Sequence, residues 1–302
     1  MSFSPKLHNP DTYPTRFLVT RDPFSRLLSA YLDKFYLVDF WASESKRMVN
    51  KRPANWTACG SDFLRVHFEK MASRFDRQNN GSATQNETRC GKYVTFFEFV
   101  RDGFARKEPH WMPIHEICNP CLLNVTHVAR MESFTEDARV ILAKMGMEHI
   151  LEDSDHDQQV DDDIQTIIDY NFNRTHATEL ATFFEKCVTP TELAFRLWHN
   201  FRWRGYVDPD VSYVIPDFTL ESRVKEDLIV QIARARQSGL SNPARMKQAK
   251  EEFRDKAFQT IPKELFQKLT RKYSFDFKLF GYEDVRDRLF HSLFQLEGSD
   301  MV

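Results

Sequence analysis

The sequence predicts an α/β domain with a mainly helical C-terminal part, and three observations carry that expectation. An apolar and β-branched run, Thr15-Arg16-Phe17-Leu18-Val19-Thr20, leads straight into a helix-start signal, Arg21-Asp22-Pro23-Phe24. The chain holds 27 Phe against 9 Gly, a balance that favours an aromatic core and helices over tight hairpins. The stretch from Ile164 to Ser274 reads as mostly helix. With 302 residues, no internal repeat and no clear linker, residues 1–302 are expected to form a single domain.

Taken in order, Thr15–Thr20 reads as a short buried strand. Pro23 suits the first helical turn and Asp22 the position before it, and Leu27, Leu28, Tyr31 and Phe35 then recur at helical spacing. Residues 55–90 form a polar stretch expected to be an irregular, glycosylated insertion. Tyr93–Phe104 reads as a short helix with an aromatic face, and His110–Cys121 as a loop broken by Pro113 and Pro120. A strand over Asn124–Met131 should precede a helix over Phe134–Met145, with Ser133 as its N-cap and Glu136 at N3. The acidic run 152–163 is expected to be a solvated loop, and 164–274 to be the helical part.

The formal net charge of -2 gives no long-range attraction to polyanions, so any anion must be held by a local patch. No run approaches the roughly 20 apolar residues that cross a bilayer. Sequons at Asn55, Asn80, Asn86, Asn124 and Asn173 are candidate N-glycan acceptors, and three of them lie near Cys59 and Cys90, as suits a lumenal surface. The other cysteines are Cys118, Cys121 and Cys187. An odd count leaves at least one thiol free or paired outside the chain, and the connectivity stays open.

The segment FLVTRDPFSRLLSAYLDKF, residues 17–35, holds the most chemistry. Arg21 sits at the strand's end and Ser29 eight residues later, slightly more than two helical turns. A guanidinium fork and a hydroxyl suit a terminal phosphate, and Arg26 and Lys34 add charge nearby. A surface helix with solvated basic residues would show the same spacing.

RDPFSRLLSAYLDKF resembles the 3′-phosphate-binding motif of Golgi carbohydrate sulfotransferases of the chondroitin/dermatan 4-O type. Further segments resemble that family in the same order: Phe96–Val100, His110-Trp111-Met112-Pro113, Cys118-Asn119-Pro120-Cys121, Arg130-Met131-Glu132-Ser133 with Asp137, and Tyr273–Tyr282. The resemblance implies a P-loop-like sulfotransferase fold, with a parallel sheet flanked by helices. It implies 3′-phosphoadenosine-5′-phosphosulfate (PAPS) as donor, with Arg21, Ser29 and Arg26 as candidate donor-binding residues. It implies a glycan acceptor, glycosaminoglycan-like, no nucleic-acid partner, and a place on the lumenal side of the Golgi membrane. The family also carries a Lys-containing loop that cradles the 5′-phosphosulfate and precedes this motif. That loop, the signal anchor and the stem are expected to be missing from this chain, leaving a non-catalytic glycan- or partner-binding protein of the same fold as the alternative.

Sulfuryl transfer needs a base for the acceptor hydroxyl, and His110 is the leading candidate because imidazole titrates near neutrality. Trp111 beside it offers a ring for a sugar; Glu98, Glu132 and His115 are weaker alternatives for the base. His110, His115, Cys118 and Cys121 also form a zinc-like N/S spacing. The resemblance implies no metal, and none is expected. Arg196, Arg202 and Arg204 lie among Phe195, Trp198, Phe201, Trp203 and Tyr206. That pattern suits an anionic sugar chain or, more simply, a helix with core aromatics and solvated arginines, and Arg234–Lys256 reads as a solvated helix face.

Overall fold

The computed structural model describes residues 14–37, 95–103, 108–151, 156–175, 189–215 and 223–294. The expected insertion at 55–90, with Asn55, Asn80, Asn86, Cys59 and Cys90, and also Cys187, lies outside the described residues. The described residues group into two compact units, one built from 14–27, 108–151, 156 and 262–294, the other from 28–37, 95–103, 157–175, 189–215 and 223–261.

In the first unit, strand β1 (Phe17–Thr20) pairs in parallel with β2 (His127–Arg130), Thr20 standing opposite Arg130. The strand is shorter and more open than the sequence suggests: Phe17 is 52% and Val19 39% exposed, and Thr20 is its one buried residue. Helix α1 (Pro23–Tyr31) follows at once. Asp22 starts it, accepting from the Phe24 and Ser25 amides at 3.2 and 3.0 Å, which satisfies two otherwise orphan donors. Where the chain re-enters this unit, a short helix, α3 (Ile114–Ile117), forms inside the stretch expected to be loop; α2 (Phe96–Gly103) belongs to the second unit. After β2, helix α4 (Phe134–Lys144) begins at Ser133 as predicted, but no side-chain cap bond forms. The Ser133 hydroxyl instead donates to Asp137 at 2.8 Å.

The second unit opens with the end of α1, which loosens into a π-helical turn over Leu32–Tyr36, closed by a bond from the Leu37 amide to the Leu32 carbonyl at 3.0 Å. Helix α2 starts with a reciprocal capping box: Glu98 accepts from the Thr95 amide at 3.0 Å while Thr95 Oγ1 accepts from the Glu98 amide at 3.2 Å. Helix α5 (His156–Thr175) corrects the expectation of an acidic loop. Val160, Ile164, Ile168 and Phe172 are buried at four-residue steps, so the acids between them occupy the wet face of one continuous helix. Asp157 and Asp161 both bind Arg236 of helix α7 (Val224–Leu240), at 3.1 and 2.6 Å.

Helix α6 (Pro190–Arg204) carries both local end signals, Thr189 accepting from the Glu192 amide and Gly205 at φ 73° closing it. Of its arginines, Arg196 is not solvated as expected but 3% exposed. Its guanidinium donates to Glu192 and to the Tyr36 carbonyl at 3.0 and 3.1 Å, and Asn200 reaches the Leu32 carbonyl at 3.4 Å. The π-helical turn thus has its displaced carbonyls satisfied from α6. Arg236 likewise departs from the solvated face expected of 234–256, being 7% exposed. Helix α8 (Pro243–Gln259) brings Phe253 flat against Trp203, ring centroids 4.4 Å apart.

The many phenylalanines account for both cores. Tyr31, Phe35, Phe96, Phe99 and Phe258 form one chain of tilted and edge-on rings in the second unit, with centroids 4.8 to 5.8 Å apart. In the first unit Phe24 packs on Phe266 of helix α9 (Lys263–Lys272) and Phe277 of helix α10 (Ser274–Phe280), at 5.2 and 4.9 Å. Helix α11 (Glu283–Phe294) closes this unit, Phe290 approaching Phe266. No helix among the described residues is long and apolar enough to cross a membrane.

Candidate functional site

In parallel sheets ligands gather at the carboxyl ends of the strands. Here that end carries Thr20, Arg21 and Asp22 after β1, and Arg130 and Glu132 after β2. Arg21 is half-buried and sits on the turn that Asp22 organises. The Asp22 amide donates to Glu132 Oε1 at 3.0 Å, and Glu132 Oε2 accepts from the Tyr282 hydroxyl at 2.8 Å. That hydroxyl lies 3.3 Å from Thr20 Oγ1. Burial, reinforced by the Glu132 carboxylate, raises the Tyr282 phenol well above its ordinary range, so it stays protonated.

Arg130 packs over the Tyr282 ring, its guanidinium carbon 5.4 Å from the ring centroid. Its amide donates to Asp137 at 2.8 Å. That bond first, and the Ser133 hydroxyl second, hold the Asp137 carboxyl below the usual carboxylate range. Gly281 takes φ 70°, and a Cβ there would lie 2.6 Å from Arg130 Nη2.

Arg26 directs one Nη to the Met112 carbonyl and the other to the Pro109 carbonyl, each at 2.6 Å. Burial lowers its pKa from the usual guanidinium value, with Tyr273 and Asp276 opposing. Two of its five N–H groups are therefore spent on the segment that carries His110. His110 itself is exposed, with Nδ1 2.6 Å from Glu108 Oε1. A carboxylate oxygen only accepts, so that contact favours a proton on Nδ1. Trp111 is not an exposed platform: it is 3% exposed, and its carbonyl accepts from the Tyr273 hydroxyl. A ring with that little surface has no face for a sugar.

His115 makes a contact that no local pattern announces. Its Nδ1 is 2.6 Å from Oδ1 of Asp276, which is 1% exposed and also accepts from the Ile114 and His115 amides at 2.6 and 3.1 Å. The ring meets Phe275 edge-on at 4.8 Å, and His115, Asn119, Cys121 and Phe275 line an open cavity of about 410 Å³. Asp276 lies 161 residues from His115, within the Tyr273–Tyr282 segment that sequence reading matched as a block without assigning a task to any member. Tyr282, Arg130 and Gly281 went unassigned in the same way.

Ser29 is half-buried on α1 in the second unit, and Glu98 is occupied in its capping box there. Cys118 and Cys121 are free thiols, and among the described residues no cluster of three or more His, Cys, Asp or Glu could hold a metal. Asn124, at φ 48°, and Asn173 are both exposed.

Comparison with known proteins adds an independent line. A model of the sulfotransferase family matches residues 2–203. Carbohydrate sulfotransferase 11 of Rattus norvegicus is 26% identical over 174 residues, covering 55% of this chain and 43% of that protein. Carbohydrate sulfotransferase 14 of Danio rerio is 28% identical over 135 residues, covering 43% and 30%, and carbohydrate sulfotransferase 8 of Homo sapiens 28% over 142 residues, covering 45% and 27%. The matched part thus spans less than half the length of these relatives. No solved structure matches. With the family matched over more than half of its length, and carbohydrate sulfotransferases among its relatives, the chain belongs to the sulfotransferase family.

Proposed function

We propose that this chain acts as a carbohydrate sulfotransferase that takes sulfate from PAPS and transfers it to a hydroxyl of a glycan, glycosaminoglycan-like, in the Golgi lumen. One observation supports this above the others. The segment matched in sequence, RDPFSRLLSAY, forms a strand-to-helix turn capped by Asp22, at the carboxyl end of a parallel strand pair. On this reading Arg21 and Ser29 bind the donor's 3′-phosphate, the fork giving charge and the hydroxyl direction. Arg26 contributes mainly by holding Pro109 and Met112, and with them the loop of His110. The fold is then the P-loop-like sandwich of the family.

In the reaction the acceptor oxygen forms a bond to sulfur as the bond from sulfur to the 5′-phosphate oxygen breaks. The acceptor proton passes to His110 Nε2, and 3′,5′-ADP leaves with the bonding pair. Glu108, on Nδ1, holds the tautomer that accepts and stabilises the imidazolium that results. Asn124 and Asn173, both exposed, are the described acceptors for N-glycans in that compartment.

Calorimetry with 3′,5′-ADP on the secreted chain tests the donor site. Wild-type binding should be lost in Arg21→Ala and weakened in Ser29→Ala. His110→Ala should retain it and lower turnover with PAPS and an acceptor. Binding that survives Arg21→Ala unchanged would refute the placement of the 3′-phosphate.

A further inference from the structure

Arg130 is fixed from several sides, yet among the described residues no acceptor takes a hydrogen bond from its guanidinium. The Tyr282 ring lies beneath it, and the missing side chain of Gly281 makes the space that Nη2 occupies. Tyr282 is itself tied down, through its hydroxyl, to Glu132 and Thr20, and Glu132 is tied to the Asp22 amide. A continuous set of contacts therefore relates the orientation of Arg130 to the turn that carries Arg21. Because Thr20 and Arg130 are register partners, and neighbouring strands lie about 4.8 Å apart, both arginines leave the same end of the strand pair.

An arginine at the surface ordinarily spends its fork on a carboxylate or leaves it mobile. One that is oriented by a ring, and still has free N–H groups, loses little freedom when it meets a bidentate oxyanion. We propose that Arg130 is a second oxyanion-binding residue of the nucleotide site, sharing the donor's 3′-phosphate with Arg21. This deepens the donor assignment made above and rests on it. The same fork would also suit a sulfate or carboxylate of the acceptor glycan, so the test must tell the two sources apart.

Calorimetry on the folded chain, checked by thermal melting, uses three probes: 3′,5′-ADP, 5′-AMP and a chondroitin hexasaccharide. Arg130→Ala should weaken 3′,5′-ADP about ten- to a hundredfold, the range of hydrogen bonds to a charged group, and change 5′-AMP and hexasaccharide binding little. Arg130→Lys keeps the charge but not the fork and should recover only part of the affinity. Gly281→Ala, which displaces Nη2 without touching the arginine, should fall between them. Affinity for 3′,5′-ADP within twofold of wild type in Arg130→Ala, with Arg21→Ala abolishing binding, overturns this inference alone. Loss of hexasaccharide binding instead moves the oxyanion to the acceptor and overturns the donor assignment of Arg130. A folded wild-type chain that binds no 3′,5′-ADP overturns the proposed donor site and this inference with it.

Discussion

Asp276→Asn perturbs the first unit at its most enclosed carboxylate. Asp276 is 1% exposed and accepts from two backbone amides, Ile114 at 2.6 Å and His115 at 3.1 Å, and from His115 Nδ1 at 2.6 Å. Truncation to Ala orphans both amides at the start of α3, and an unsatisfied buried donor costs about 1–3 kcal/mol. The His115 ring, 25% exposed, can turn its nitrogen to water and adds little. Two orphaned amides set the loss for Asp276→Ala at about 2–6 kcal/mol, a large share of a typical domain stability of about 5–15 kcal/mol. Asn keeps the shape and one accepting oxygen but turns an NH₂ toward a donor, so about 1.5–3 kcal/mol is expected. Guanidinium unfolding followed by fluorescence gives the difference from midpoint and slope, with His115→Ala as the control at under about 1 kcal/mol. If Asp276→Asn unfolds within 0.5 kcal/mol of wild type, the carboxylate is not holding α3 and the reasoning fails (the margin being about that of a neutral surface substitution). A loss in His115→Ala as large as in Asp276→Asn would mean that the ring contact, not the amide contacts, carries the effect.

Removing the acids around Arg236 should hurt more than removing the arginine. Asp157→Asn with Asp161→Asn strands a buried cation, costing about 2–4 kcal/mol, whereas Arg236→Met leaves two carboxylates that are already half in water and should cost about 1–2 kcal/mol, both read by denaturant midpoint. Asp137 has its folded pKa depressed, so its contribution is fully present above the unfolded carboxylate value near 3.9 and is lost as pH falls through the lower folded value. Asp137→Asn should accordingly flatten the acid limb of a stability-versus-pH curve below about pH 4, and an unchanged limb would contradict the Arg130 and Ser133 contacts. Secretory expression should give a glycan at Asn124 that mass spectrometry detects and Asn124→Gln removes.

What sequence reading reached was what short-range chemistry encodes. The Asp22-Pro23 start and the aromatic face of α2 are each written within a few neighbouring residues. What it missed depends on partners far along the chain. The acidic run 152–163 reads as loop until Arg236, 75 residues beyond Asp161, shows what two of its acids hold. Arg196 reads as solvated until Tyr36, 160 residues earlier, offers it a carbonyl. Trp111 reads as a platform because pattern registers an aromatic residue without registering the Tyr273 hydroxyl that anchors its backbone. At the candidate site Arg21 and His110 were visible as residue types in a matched motif. Arg130 drew no role of its own because its setting is made by Gly281 and Tyr282, about 150 residues later in the chain.

The register of β1 on β2 has a kinetic consequence. Thr126 and Arg16, just outside the paired strands, are bonded across a separation of 110 residues. Each doubling of such a span adds only about 0.6 kcal/mol of closure entropy, so the thermodynamic burden is modest. The delay is not. At a synthesis rate of roughly 5–20 residues per second, β1 waits about 5–20 s on the ribosome for its partner to be made. Phe17 and Val19, 52% and 39% exposed even in the folded chain, have no partner strand to pair with in that interval, and contacts of this sequence separation slow folding. Variants that speed association should therefore lie in β2 and its flanks, and those that aggregate during synthesis in β1.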